Sequence, residues 1–432
     1  MGTTVFTKGA GFLVPGLLWL LASAPAWAEV RALSLPQVIE YSLQNNGDIK
    51  ALREEKGIRD AAKVKAGLLP NPTLEVEGGT GALTGNSGEN NLSLGVSQEI
   101  ILAGKREKRL ALAERELEMY RWQVQDRERL LRDAVQSAFF DLILAEKRLA
   151  LSKRFIVLNH QLSNVTKERL KSGDVPELEI TLVKVELARS EGKKMEAEKT
   201  LRQDQARLFQ LIGLPSGENP AISGDFTLKI SLPRDLAALK QLALENRPDL
   251  RALKVEKNRG DSDVILAEAE SIPNLTAGLA VKRDTTTIEL GGLQDRDTTY
   301  TVGMKLSMPI PLFDRNQGGT QEALAKKSSA GSRLLTATKM IEREVEATYA
   351  SFVNTEGVLA LYRNEILPQL ETNLQLTQEA YRLGEVGILA VIEEQKKFFE
   401  VNDGYLAALH GRQTALLKLE TTVATDLTGG VQ

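Results

Sequence analysis

Proline spacing sets the first bound on what this chain can fold into. After Pro15 and Pro25, prolines stand at 36, 70, 72, 176, 215, 220, 233, 248, 273, 309, 311 and 368. None lies between Pro72 and Pro176, and only Pro368 follows Pro311. A proline inside a helix costs about 3 kcal/mol, so these two tracts are where very long helices can run. In the first tract Leu110, Ala113, Leu117, Tyr120, Val124, Leu131, Val135, Ala138, Leu142, Ala145 and Leu149 recur at helical steps among charged residues. That is the stripe of a coiled-coil or bundle helix. The spacing predicts one helix over about 104–171, roughly 100 Å long at ~1.5 Å per residue, far too long for a compact domain.

The chain also repeats itself at long period. Leu43–Lys56 matches Leu244–Lys257, Leu69-Pro-Asn-Pro-Thr73 matches Ile272-Pro-Asn-Leu-Thr276, and Leu94-Gly-Val-Ser97 matches Met304-Lys-Leu-Ser307. Lys171-Ser-Gly-Asp-Val175 matches Arg382-Leu-Gly-Glu-Val386. Two halves, 29–213 and 233–428, therefore share one plan of helix, helix, strand, strand, long helix, helix, joined by a linker at 214–232. The second half places a long helix at about 316–383 and a last helix at about 387–427; the helix before the linker spans about 175–213.

Four strands are expected, at about 72–83, 91–102, 274–284 and 298–310. In each, apolar residues alternate with small, polar or charged ones, as in Leu74 and Val76 against Glu75 and Glu77, or Val302, Met304 and Leu306 against Gly303 and Lys305. Such a face packs on a soluble core or meets lipid. Strand length favours a membrane barrel, since ~9–11 tilted residues cross a bilayer. The connections Leu83–Asn90 and Thr286–Thr298 are polar and rich in Gly or Asp, as external loops are. Four strands cannot close, because known barrels start at about eight, so a barrel needs several copies of the chain.

Residues 1–28 read as an export signal, with Lys8, the apolar Phe12–Leu21 and the Ala26-Trp27-Ala28 cleavage site. Beyond them no run of 18 apolar residues would form a membrane-spanning helix. With no Cys and only His160 and His410, the chain has no thiolate for a metal, disulfide or lipid, and no assembled imidazole chemistry. Its net charge of −3 gives no nucleic-acid footprint, and no phosphate-binding glycine loop is present. Neither an enzyme nor a cofactor is expected, and any energy source must sit in a partner.

Together these features resemble TolC-type outer membrane factors. The resemblance rests on the duplicated plan, on Leu69-Pro-Asn-Pro72, on Ser97-Gln-Glu-Ile-Ile-Leu-Ala-Gly-Lys-Arg106 entering a long helix, and on Ser307-Met-Pro-Ile-Pro-Leu-Phe-Asp-Arg315 at the matching place. The size and the Ala-Gly-Lys-Arg segment look most like the CzcC-type heavy-metal branch. The resemblance implies a mixed α/β, mainly helical membrane protein: a homotrimer whose twelve strands form an outer-membrane β-barrel continuous with a periplasmic α-helical barrel. An equatorial belt would draw on Leu214–Leu232 and the C-terminal residues. It further implies a passive exit channel that works with a periplasmic adaptor (membrane fusion protein) and an inner-membrane RND-type pump. The rival reading is a periplasmic coiled-coil adaptor.

The resemblance also points to a gate at the tips between long and shorter helices, Lys171–Leu178 and Arg382–Leu389. In well-known members the second tip carries a Tyr, a Gly three later, an Arg two after that, then two Asp spaced by three. Here Tyr381 and Gly384 match, Val386 replaces the Arg, Ala390 replaces the first Asp and Glu393 stands at the second. The Tyr–Arg lock is thus expected to be broken, and Glu393 either rings the pore or lies on a solvated helix face. Gly173, Asp174, Val175, Glu385 and Val386 are the candidate adaptor contacts, while acids at the first tip, Glu179 among them, also suit a helix start.

Overall fold

A computed structural model describes residues 32–85, 88–226 and 235–427. The expected signal at 1–28, residues 29–31 of the first half, 86 and 87 of the expected Leu83–Asn90 loop, 227–232 of the expected linker, and 233, 234 and 428 of the second half lie outside them. The first half runs through α1 (Leu35–Asn45), α2 (Gly47–Glu54), α3 (Lys56–Gly67), β1 (Thr73–Thr80), β2 (Asn90–Ile100), α4 (Lys105–Lys171) and α5 (Glu177–Ile212). The second half follows with α6 (Leu236–Asn246), α7 (Pro248–Glu270), β3 (Leu275–Leu290), β4 (Leu293–Ser307), α8 (Gln317–Leu361), α9 (Leu367–Leu383) and α10 (Ile388–Val423).

Local chemistry places these boundaries. Asn46 accepts hydrogen bonds from the Asp48 and Ile49 amides and starts α2. Ser34 and Gln37 form a capping box on α1. The α4 helix has 67 residues, or about 100 Å. It begins after two left-handed residues, Ala103 and Gly104, which turn the chain out of the sheet. The helix α5 stops at left-handed Gly213, and α10 stops at Ala424 in the same conformation.

The second long helix departs from the single span expected at 316–383. It widens into a π-turn over Tyr362–Ile366 between α8 and α9. Pro368 is the cause: it has no N–H, and its ring clashes with the carbonyl four residues back, at Asn364. Opposite this turn Gly404 of α10 leaves room for the Tyr362 hydroxyl, and a Cβ there would force that ring end to shift. The first half has no proline at the matching place, and α4 runs through unbroken.

The sheet has order β1-β2-β3-β4, every pair antiparallel. Register puts Leu74, Val96, Leu279 and Met304 in one row and Val76, Leu94, Val281 and Val302 in the next. Those rows lie on one face and have no core beneath them: Leu279 is 64% exposed, Met304 73% and Val302 77%. The other face carries Glu75, Glu77, Lys282 and Lys305. The expected loop Thr286–Thr298 is instead mostly strand. β3 and β4 extend to a two-residue turn at Gly291 and Gly292, both at positive φ, as a tight hairpin requires. Thr285, Thr286, Thr287 and Ile288 are β-branched and favour extension, and this outweighs their polarity.

Two cores sit where the short helices meet the long ones. Val38 of α1, Phe139, Phe140 and Ile143 of α4, Leu208 and Ile212 of α5, Phe226 and Leu417 of α10 form the first. Leu239, Ile341, Val345, Phe352, Leu416, Leu419 and Val423 form the second. The helix α10 thus feeds Leu417 to one core and Leu416 and Leu419 to the other. Above this equator α4 packs on α3 and α7, and α7 on α8; below it α4 packs on α5 and α10, and α10 on α9.

An ion network around the buried Arg247 fastens the second core. Arg247, 7% exposed, gives Nε and Nη2 to the two oxygens of Asp249 at 3.0 and 2.7 Å and Nη1 to Glu344 at 2.7 Å. Burial alone would raise the Asp249 carboxyl, but the bidentate guanidinium overrides it and holds the group below its ordinary value of 3.8. The stabilisation is therefore complete above that value and is lost as pH falls through the lowered one. Asp249→Asn is expected to cost about 1–2 kcal/mol near neutrality, discounted because the carboxylate is 33% exposed. It should also flatten the acid limb of a thermal-melt pH series; an unchanged limb would exclude the pair as its source.

Candidate channel gate

The two tips are built alike. After α4, Gly173 takes φ +81° and the Asp174 amide reaches back to the Arg169 carbonyl at 2.9 Å. After α9, Gly384 takes φ +83° and the Glu385 amide reaches the Ala380 carbonyl at 2.8 Å. Both are helix stops that need a left-handed residue, and in both the following helix starts four residues after the glycine.

Between the tips lies an apolar cluster of Leu162, Val183, Tyr381, Ile388, Val391 and Ile392, with Val165, Leu182 and Val386 against it. Tyr381 is its centre and is 1% exposed. Its hydroxyl donates to Glu179 Oε2 at 2.9 Å and lies 3.1 Å from Thr166 Oγ1. Arg169 Nη1 donates to the Tyr381 carbonyl at 2.7 Å, and the Arg169 guanidinium sits 4.7 Å from the ring centroid. Burial, with the Glu179 carboxylate beside it, pushes the Tyr381 phenol above its usual value and keeps it a proton donor.

Tyr381 thus joins α9 to both helices of the first hairpin, through Thr166 and Arg169 of α4 and Glu179 of α5. Val386, standing where the family arginine would be, contributes apolar packing, and Arg169 comes to the tyrosine from the other tip. Higher up, the same two hairpins are tied by Lys396 to Glu186 at 3.0 Å, by Lys193 over the Phe399 ring at 3.8 Å, and by Arg148 to Asp403 at 2.8 Å. Burial lowers the Lys193 pKa even with Glu400, Glu186 and Asp403 nearby.

The other sequence-selected residues separate by exposure. Gly173, Asp174 and Glu385 are exposed, Val386 is half-buried, and Val175 is buried at 8%. Glu393 is exposed on the face of α10 away from Val391, Ile392 and Gln395, whereas Glu394 turns inward and pairs with Lys397 at 3.3 Å. Sequence reasoning did not join Arg169 and Thr166 to the tyrosine. The available signal was that Arg169 and Thr166 lie three residues apart on the α4 face that also carries Leu162. Among the described residues no group of His, Asp and Glu is arranged to hold a metal ion, and no helix is long and apolar enough to cross a membrane.

An open-edged sheet with a bare apolar face, continuous with helices of about 100 Å, defines a membrane channel protomer. The family model for outer membrane efflux proteins matches residues 38–214 and 239–425, and the chain belongs to that family. The match covers both halves of the duplication. The chain is similar to the cobalt-zinc-cadmium resistance protein CzcC of Cupriavidus metallidurans, 24% identical over 379 residues, covering 87% of this chain and 86% of the relative. It is also similar to the pyoverdine export outer membrane protein OpmQ of Pseudomonas putida, 21% identical, with 87% and 83% covered. Its fold matches the solved CusC channel with a TM-score of 0.76 at 18% identity, over 91% of this chain and 92% of that one. Members of the family are trimeric outer-membrane channels of tripartite efflux pumps. The protein is accordingly an outer-membrane efflux channel that extends into the periplasm, not an enzyme. The rival reading as a coiled-coil adaptor fails on the duplicated sheet.

Glu179→Ala removes the carboxylate that the buried hydroxyl serves and is expected to cost the tips about 1–3 kcal/mol. Hydrogen exchange should speed up over 162–183 and 381–392, while Glu177→Ala, an exposed neighbour, leaves it unchanged.

Proposed function

We propose that this chain is the exit duct of a tripartite heavy-metal efflux pump, and that its tips form the gate. The observation that carries the gate is the Tyr381 pin, which fastens the second hairpin to the first at the end farthest from the sheet. The duct performs no chemistry. An inner-membrane pump of the RND type supplies the energy, and a periplasmic adaptor engages the exposed tip residues Gly173, Asp174 and Glu385, whose positions Val175 and Val386 fix from beneath. Separation of the hairpins at Tyr381 and Glu179 opens the passage.

Glu393 is the gate's electrostatic element in this reading. It is exposed and, among the described residues, has no ion-pair partner. Three copies around a narrow axis would repel one another and draw cations, which suits a positively charged cargo. The metal-resistance relative supports cations as that cargo.

Two measurements test the proposal. Removal of the chain from its host should lower tolerance to cobalt, zinc and cadmium and leave tolerance to organic antibiotics unchanged; unaltered metal tolerance would refute the cargo. In planar bilayers, Tyr381→Phe should raise the closed-state conductance, and Glu393→Ala should reduce cation selectivity. Unchanged conductance and selectivity in both variants would sink the gate.

A further inference from the structure

The duplication is geometric as well as textual. The sequence match equates Thr73 with Thr276 and Ser97 with Ser307. In the sheet Thr73 lies opposite Ser97, and Thr276 lies opposite Ser307. The β1–β2 and β3–β4 hairpins are thus two copies of one unit in one register. They join along β2–β3, where Gly95 faces Ala280, Val96 faces Leu279 and Gln98 faces Ala277. The outer edges, β1 and β4, have no strand partner among the described residues. Each leaves a row of backbone donors and acceptors that cannot remain open in hydrocarbon.

We propose that β4 of one copy pairs with β1 of the next in the register the chain already uses between β2 and β3, and that this sets an ion pair between Lys305 and Glu77 of the next copy on the lumen face. The inference rests on the trimeric channel reading and adds the register and the residues. Carrying the joint over by the repeat turns Gly95 into Lys305 and Ala280 into Glu77. It turns Val96 and Leu279 into Leu306 and Val76, and Gln98 and Ala277 into Met308 and Leu74.

Three observations agree with that register. The first is charge: Lys305 and Glu77 are both exposed, and among the described residues neither has an ion-pair partner, so the joint brings together two complementary charges. The second is the apolar face. Leu306 against Val76 and Met308 against Leu74 continue the lipid-facing rows across the seam, and all four are exposed in the protomer. A shift by one residue would turn these side chains into the lumen.

The third is closure. A line across the sheet from Thr73 passes Ser97 and reaches Gly278, whose repeat counterpart is Glu75. Each hairpin therefore advances by two residues. That is about 6.7 Å of rise over two strand spacings of about 4.8 Å each, a tilt of roughly 35°. Strands of closed barrels tilt by ~35–45°, so repeating the same joint around the ring gives a tilt compatible with closure.

The native chain has no cysteine, which gives a clean background for cross-linking. Residues directly opposite in an antiparallel pair have Cα atoms ~4.5–5.5 Å apart, within disulfide reach, whereas diagonal neighbours lie ~7–8 Å apart. Lys305→Cys with Glu77→Cys in one chain should convert the monomer band to a trimer-size band on non-reducing gels of oxidised outer membranes. Lys305→Cys with Glu75→Cys, or with Gly79→Cys, should do so far less. Stronger cross-linking at either off-register pair, or none at any pair in a complex that is trimeric by native mass, overturns the register alone. A monomeric native mass overturns the trimeric reading as well. As a second readout, Lys305→Glu and Glu77→Lys should each lower the temperature at which the trimer dissociates, and the double exchange should restore it. No restoration overturns the ion pair.

Discussion

Backbone hydrogen bonding in lipid governs this molecule. Four strands leave two open edges and an apolar face with nothing packed on it, a state that neither water nor hydrocarbon tolerates for long. Closure with other copies satisfies the edges and turns the exposed Leu279, Val302 and Met304 from a liability into a lipid-facing band. The rest of the chain is arranged around that closure. Each strand pair must feed a helix that leaves the membrane on the same side, and left-handed Ala103 and Gly104 make the turn for α4.

Below the sheet the problem reverses. Helices of about 100 Å cannot be stabilised by a central globule, so packing is distributed along their length. Two equatorial cores anchor the middle, with α10 shared between them. From there to the tips the hairpins are held by spaced cross-links, Arg148 to Asp403, Lys193 on Phe399, and Lys396 to Glu186. The series ends on Tyr381. Its hydroxyl, carbonyl and ring are all engaged by the opposite hairpin, so the last contact is at once buried and polar. Polar pins of this kind suit an element with two states, because hydrogen bonds given up on opening are replaced by water.

The broken family pattern at the second tip shows how far sequence spacing carries. Val386 in place of arginine suggested a lost lock, yet a guanidinium still reaches the tyrosine from Arg169, more than 200 residues earlier. Thr166 and Glu179 join it from two different helices. Nothing in local periodicity pairs them, because the pairing depends on where two helix stops leave the chain. The Thr286–Thr298 segment behaves likewise in the sheet. Its polarity predicts a loop, while its β-branched residues and the Gly291-Gly292 turn make it strand.

The sequence by itself determined the long-period repetition, the proline-free tracts open to long helices, the alternation of the strands and the impossibility of closing a barrel from one copy. These are fixed by proline placement, hydrophobic period and repetition, all local or self-referential properties of the chain. Only the tertiary structure decided which side chains meet at the helix tips, where Pro368 opens a π-turn against Gly404, and in what register the two hairpins join. Each of those depends on the relative height of elements distant in sequence. That height is set by packing at the equator and by hydrogen-bond register in the sheet, neither of which a single segment encodes.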